Sequence, residues 1–237
     1  MPAALSKVAL IVVLACAVAS CKKNAKDDPS PPQPDPRPSV GGPKQQDRKE
    51  TPKQPSAPET KSATADRDED YFKVLEQSYE LDGVLAATVF WLDCRSAAFD
   101  DLQAAKARLV LADALKVKKD ALNSGILTWQ RLFMDRYKMD TKQWKPDFEK
   151  RYPDRQLIHD EASEVARAFC REKSLEISRH LVLELPPNAP NVGEAGWHDY
   201  RMEYLRKIAP TIAEQVVDRV RGLDSLKKMK TKVAEAK

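Results

Sequence analysis

The sequence predicts an all-α fold, an irregular bundle of four to six helices behind a disordered, proline-rich tether. Three observations carry this. From about Asp66 onward apolar residues recur at steps of three and four, and no alternating strand pattern runs for any useful length. Glycine is scarce, seven in 237 residues, so few interior positions weaken a helix. No fixed-period repeat is evident, which favours a bundle over a stacked solenoid. The chain therefore divides into 1–20, 21–65 and 66–237.

Residues 1–20 carry one early cation, Lys7, then an unbroken apolar run over 8–19 and small residues before Cys21. That is the layout of a secretory signal. The run is shorter than the ~20 residues a membrane-spanning helix needs, so cleavage is expected in preference to a retained anchor. The four residues Val18, Ala19, Ser20 and Cys21 resemble the lipobox of bacterial lipoproteins, in which a branched apolar residue and two small ones precede the cysteine that receives the lipid. The resemblance covers only the first 21 residues. It implies removal of 1–20, a diacylglyceryl thioether on Cys21 and a further acyl chain, of the palmitate kind, on the new amino terminus. Two or more chains hold a protein stably, so the first partner implied is a lipid bilayer reached through Cys21. In the same family an Asp after the lipidated cysteine retains the protein at the inner membrane. Here Lys22 follows, which points to the outer membrane of a diderm and a periplasm-facing protein.

Residues 22–65 are rich in Pro, Lys, Asp, Gln and Ser and nearly devoid of large apolar side chains, too few to bury a core. Prolines are densest from Pro29 to Pro38, favouring polyproline II. Fully extended, such a segment reaches on the order of 100 Å at ~3.1 Å per residue. It reads as a spacer that lets the domain stand off its membrane, or as a generic linker.

Asp66 with Glu69 three residues on forms a candidate N-cap and capping box. Phe72, Leu75, Tyr79, Ala86, Phe90, Cys94, Ala97, Ala105, Leu109 and Ala112 then keep helical spacing, with one break expected near 93–101, where short polar residues cluster. A further stretch with Ile126, Trp129, Leu132, Phe133 and Tyr137 on one side continues to about Lys138. Residues 139–153 read as a connector, because Pro146 and Pro153 interrupt any long helix while Trp144, Phe148 and Tyr152 give it something to pack. A helix over about 154–185 is expected to bury Leu157, Ile158, Ala162, Val165, Phe169 and Leu181 and to end at Pro186 and Pro187. The last helical region starts at Trp197, with Tyr200, Tyr204, Ile208, Ile212, Val216, Val220 and Leu223 inward. Pro210 is expected to kink it or to start a new helix. The lysine-rich stretch 227–237 is expected to fray.

Cys16 leaves with the signal and Cys21 is consumed by lipid, so the mature domain keeps Cys94 and Cys170. In an oxidising compartment two remaining thiols usually pair, which would add roughly 4 kcal/mol in the chain-entropy picture. The alternative is two small buried apolar residues on separate helices. Each of the three histidines has a plain reading as a solvated or capping group. His159 has no second histidine at i+4, His180 lies one turn after Glu176, and His198 adjoins Asp199 at a helix start. No nucleophile-elbow serine, phosphate-cradling glycine loop or paired cysteine metal knuckle is present. No catalytic residue, cofactor or metal is therefore assigned. The net charge of +4 comes from the signal and tether, while the part from Asp66 onward is close to neutral. Within the domain the basic surplus lies in 219–237, and a nucleic-acid reader normally carries its surplus on the folded face that meets the phosphates, which argues against nucleic acid as a partner.

Of the four tryptophans, Trp91 and Trp129 share the apolar periodicity and are expected in the core. Trp144 and Trp197 lie by loops beside cations and are the candidate partner contacts. The reading is a lipid-anchored helical module that binds another envelope macromolecule. It would act as an assembly factor, in the manner of small helical pilotin lipoproteins, or as an inhibitor or immunity-type protein. The opposing class is a cell-wall-acting enzyme, or an enzyme activator, with a site assembled from scattered carboxylates and His159.

Overall fold

A computed structural model describes residues 61–100, 102–138 and 141–236, all within one compact unit, Pro55–Lys237. The signal, Cys21 and most of the proline-rich segment lie outside the described residues. Six α-helices follow in order: α1 Lys61–Asp93, α2 Leu102–Tyr137, α3 Thr141–Arg151, α4 Arg155–Ser178, α5 Trp197–Arg221 and α6 Asp224–Glu235. A π turn, Arg179–Leu183, ends α4, and no strand occurs among the described residues. The all-α expectation holds.

Cross-helix contacts give the directions. Asp70 meets Arg136 while the backbone carbonyl of Cys94 meets Arg108, so α2 runs antiparallel to α1. Tyr79 meets His159 and Cys94 meets Ser174, so α4 runs parallel to α1. His180 stacks on Tyr204 while Phe169 lies under Arg219, so α5 returns antiparallel to α4. The four long helices thus run up, down, up, down, and α6 continues the direction of α5 along the lower half of α1.

Helix α1 is the common neighbour, touching α2, α4, α5 and α6. Its buried positions run through Phe72, Val74, Leu75, Tyr79, Val84, Ala86, Ala87 and Trp91, covering most of its circumference. A helix apolar on nearly every side belongs inside a bundle. The closest approach is at Gly83. A Cβ built there would stand 2.5 Å from Val220 Cγ2 on α5, 3.4 Å from the Ala162 carbonyl and 3.6 Å from Ala166 Cβ on α4. Here glycine is required by space, since only its missing side chain lets three helices meet.

Two cores lie either side of this waist. The upper one gathers Trp91, Phe99, Leu111, Leu115, Leu181, Trp197, Leu205 and Val216. The lower one is aromatic and gathers Phe72, Tyr79, Phe133, Trp144, Phe148, Tyr152 and the α6 residues Leu226, Met229 and Val233.

Several local expectations are corrected. Helix α1 starts at Lys61, so Asp66 is an interior residue and not the N-cap. The early turns are held instead by docking, with Ala65, Arg67 and Asp68 buried and Arg151 forking onto Asp68 at 3.1 and 2.8 Å. The connector 139–153 contains a helix, α3, with Pro146 inside it. Pro146 lacks the N–H that would reach back one turn to position 142, and both residues face solvent, where the missing helix bond is tolerated. The same holds for Pro210 and Arg206, and α5 runs through without a break. The break falls at Gly222, followed by Leu223 in an extended conformation with ψ 130°. The expected frayed tail is α6, with Leu226, Met229 and Val233 buried at i, i+3 and i+7.

The waist at Gly83 predicts a graded response. Gly83→Leu overpacks three helices and is expected to cost about 3 kcal/mol or more in urea unfolding. Gly83→Ala gains about 1 kcal/mol of helix propensity and loses roughly 1–3 to crowding. Adding Val220→Ala to Gly83→Ala is expected to cost less than the two changes summed; strict additivity would show that Val220 is not the limiting contact.

Candidate functional site

The two tryptophans expected at a binding edge are buried, with Trp144 at 2% and Trp197 at 4% exposure. For Trp144 the reason is α3, which places Trp144, Phe148 and Arg151 on one face. Its ring meets Tyr71 edge-on at 4.5 Å and Phe133 at 4.8 Å, and Arg67 covers it at 5.7 Å. Trp197 opens α5, stacks on Tyr200 at 6.2 Å and is covered by Arg201 at 5.9 Å. Trp129, expected in the core, is the half-buried tryptophan of the four. The exchange has a physical cause. The lower core takes its aromatic filling from α3, which leaves Trp129 at the rim of the α1–α2 seam.

Trp129 divides two clefts. One, of about 460 Å³, is lined by Glu76, Gln77, Glu80, Arg221, Lys227 and Lys230 together with Lys73 and the ring itself. The other, of about 600 Å³, is lined by Asp70, Leu132, Phe133, Asp135 and Arg136 with the same ring and lysine. Lys73 Nζ stands 5.3 Å from the Trp129 ring centre, a cation–π contact that fixes the ring's outer face. Helix spacing explains the acidic wall, since 73, 76, 77 and 80 fall on one side of α1.

Charges around the ring are paired. Arg221 forks onto the buried Glu80 at 2.6 and 3.2 Å, and Lys230 reaches Glu76 at 2.8 Å. Asp70 accepts from Lys73 at 3.0 Å, from the Tyr137 hydroxyl at 2.9 Å and from Arg136. Burial pushes the Asp70 carboxyl upward, but the hydrogen bonds from Lys73, Arg136 and Tyr137 together outweigh it and hold the group below the ordinary carboxylate value. The Gln77 side-chain oxygen is buried without a hydrogen-bond partner, against Gly125 of α2. The site therefore offers one aromatic plane with cations on both flanks.

The other sequence candidates fall elsewhere. His159 contacts Asp82 through Nδ1 and lies edge-on to Tyr79 at 4.6 Å. The nearby carboxylates are engaged separately, Glu161 by Ser225 and Glu164 by Arg167. His180 stacks on Tyr204 at 4.3 Å, with Tyr200 Oη 3.4 Å from its Nε2, while Glu176 pairs with Lys173. His198 is exposed, 3.4 Å from Arg201. No group of three His, Cys, Asp or Glu side chains able to hold a metal ion occurs among the described residues. Cys94 and Cys170 are free, buried thiols, so the expected bond is not formed here, and the Cys94 sulfur lies 3.2 Å from Ser174 Oγ.

No family model, curated protein or solved structure matches the chain. No helix among the described residues is long and apolar enough to cross a membrane.

Trp144→Ala is expected to cost about 3–5 kcal/mol of stability, against under about 1 kcal/mol for Trp129→Ala, as read by denaturant midpoints at equal slope. Equal costs would contradict the assignment of one ring to the core and the other to the rim. Asp70 supplies a pH signature. Its folded pKa is depressed, so its contribution is present above its unfolded value of about 3.9 and disappears as pH falls through the folded value. Asp70→Asn is therefore expected to be less stable than the natural chain at pH 7, with the gap closing below about pH 4. A gap that stays constant to pH 2 contradicts the pairing.

Proposed function

We propose that this chain is a lipid-anchored envelope protein whose helical domain binds another envelope macromolecule through the face around Trp129. The observation that supports it most directly is the half-buried indole between two clefts, held by Lys73 and flanked by Arg136, Arg221, Lys227 and Lys230. Partly buried aromatics beside arginine are the usual anchors of protein contacts. The Cys21 lipobox resemblance and the proline-rich stretch 22–65 supply the address and the reach. Within this reading the outer membrane, facing the periplasm, is the place. The work is that of an assembly factor or of an inhibitor or immunity-type protein.

A second reading, a cell-wall-acting enzyme or activator, is favoured by one observation, the His159–Asp82 contact at the α1–α4 seam. An imidazole oriented by a carboxylate is a usable general base. The surrounding acids are committed to other partners, so binding is preferred.

Two measurements test the first reading. Mass spectrometry of the protein extracted from membranes is expected to give a chain that begins at Cys21 and carries acyl mass. An unmodified chain, or a Cys21→Ser variant that fractionates identically, overturns the anchor. A photo-crosslinking residue at position 129 in cells is expected to capture one envelope protein that the same residue at Val117, 72% exposed, does not. Equal capture at both positions removes Trp129 from the interface. Turnover of peptidoglycan that vanishes in His159→Ala would favour the second reading.

A further inference from the structure

The two clefts at Trp129 share that ring and Lys73 and lie end to end along α1, so they form one groove. Its floor runs from Asp70 to Glu80, about 15 Å of helix. Helix α2 supplies one wall through Trp129, Leu132 and Arg136. The end of α5 and the first turns of α6 supply the other, through Arg221, Lys227 and Lys230. The two ends differ in character. Around Asp70 the wall offers the exposed Leu132 beside the buried Phe133, whereas around Glu80 it is charged.

The paired charges balance in number but not in depth. Side-chain exposure is 7% for Glu80 against 56% for its partner Arg221, 14% for Asp70 against 66% for Arg136, and 27% for Glu76 against 65% for Lys230. Each acid sits low in the groove while its cation stands at the rim. Asp135 lines the Asp70 end, and Asp218 and Asp224, at 3.6 Å from Arg221 and 3.7 Å from Lys227, lie outside the lining. On the α6 side an approaching surface therefore meets guanidinium and ammonium groups before any carboxylate of the floor.

Helix α6 shows what the lower half of α1 accepts, since Leu226, Met229 and Val233 lay one amphipathic face along it. The groove between α6 and α2 is the adjoining position, open at its rim. We propose that it holds an acidic amphipathic helix of the partner protein, with an apolar side chain in the Leu132 cleft and carboxylates on Arg221, Lys227 and Lys230. This rests on the Trp129 face being the binding face. From Lys73 to Glu80 the floor covers about 10 Å, so the apolar anchor and the carboxylates stand about two helical turns apart. Rim cations of this kind steer a partner and select its charge without breaking the ion pairs below them. A bilayer surface is flat and meets the rim alone, whereas the half-buried ring and the Leu132 cleft need a side chain that projects inward.

The test uses the full chain in cells, with a photo-crosslinking residue at Leu132 and the indole intact, and sequences the linked partner peptide by mass spectrometry. The linked segment is expected to carry more Asp and Glu than Lys and Arg, with apolar residues at helical spacing. Lys227→Gln combined with Lys230→Gln is expected to lower capture about tenfold, while Lys106→Gln with Lys116→Gln, exposed on the far half of α2, leaves it unchanged. With the purified chain, a synthetic helix bearing leucines on one face and glutamates on the other is expected to shield Trp129 from acrylamide, and less so as salt rises. Its lysine twin is expected not to. A neutral or basic linked segment, capture that survives the loss of both lysines, or equal shielding by the two peptides overturns the acidic helix and leaves Trp129 in the binding face. A linked lipid, or shielding by phosphatidylglycerol vesicles where the glutamate peptide gives none, overturns it in favour of a membrane. Absence of capture at both 129 and 132 removes the binding face and the helix together. The salt series needs no variant, so a folding defect in the lysine changes leaves it decisive.

Discussion

The packing of this protein turns on the close approach of three helices at Gly83. With no side chain there, α1 can sit against Val220 of α5 and Ala162 and Ala166 of α4 at once, and the small residues Ala86 and Ala87 continue the seam upward. A helix touched on several sides cannot slide or rotate without losing contacts on every side. The direction of each neighbour, the separation into an upper and a lower core, and the placement of the seam that exposes Trp129 follow from where α1 is pinned.

Pinning in register is assisted by two carboxylates that are buried only because each is met by an arginine fork. Asp68, 1% exposed, is held by Arg151 at the start of α4's connection, and Glu80, 5% exposed, by Arg221 at the end of α5. Buried ion pairs contribute little net stability, since desolvation offsets attraction, yet removal of one partner is costly. Their effect is selective. A slip of α5 or α3 by one turn along α1 would leave an uncompensated charge inside, which the apolar contacts alone would not penalise. The domain is therefore near neutral overall and strict about pairing within.

Much of the architecture was legible in the residues. The single break in the first long apolar stretch falls at 94–101, the second stretch ends at Tyr137, and Pro186 and Pro187 follow the end of α4's irregular last turn. What resisted was which side of each helix faces in. Leu109, Leu132 and Leu157 keep apolar spacing but are 49%, 52% and 60% exposed, while their neighbours Phe133 and Ile158 are buried. On helices of 33 and 36 residues the stripe drifts as the bundle coils, and apolar residues on adjacent positions leave two stripes to choose between. The tryptophans failed for a related reason. Exposure of Trp129 and burial of Trp144 depend on α3 folding back under the bundle, and two prolines made that segment read as a linker. The lysines of 227–232 hid an amphipathic turn because their charge masked Leu226, Met229 and Val233. For the candidate site, the residue types were visible but the partners of Trp129 lie on α1, α5 and α6, which no local pattern relates.

The seating of α6 against Tyr79, Glu76 and Asp154 has a consequence for the order in which the molecule can close. The lower half of α1 emerges early during translation, yet the residues that seal it are the last to be made. Until α6 is made, the aromatic floor lacks the cover of Leu226, Met229 and Val233, whereas the upper core takes no residue from α6 and can pack without it, so the two cores close at different times.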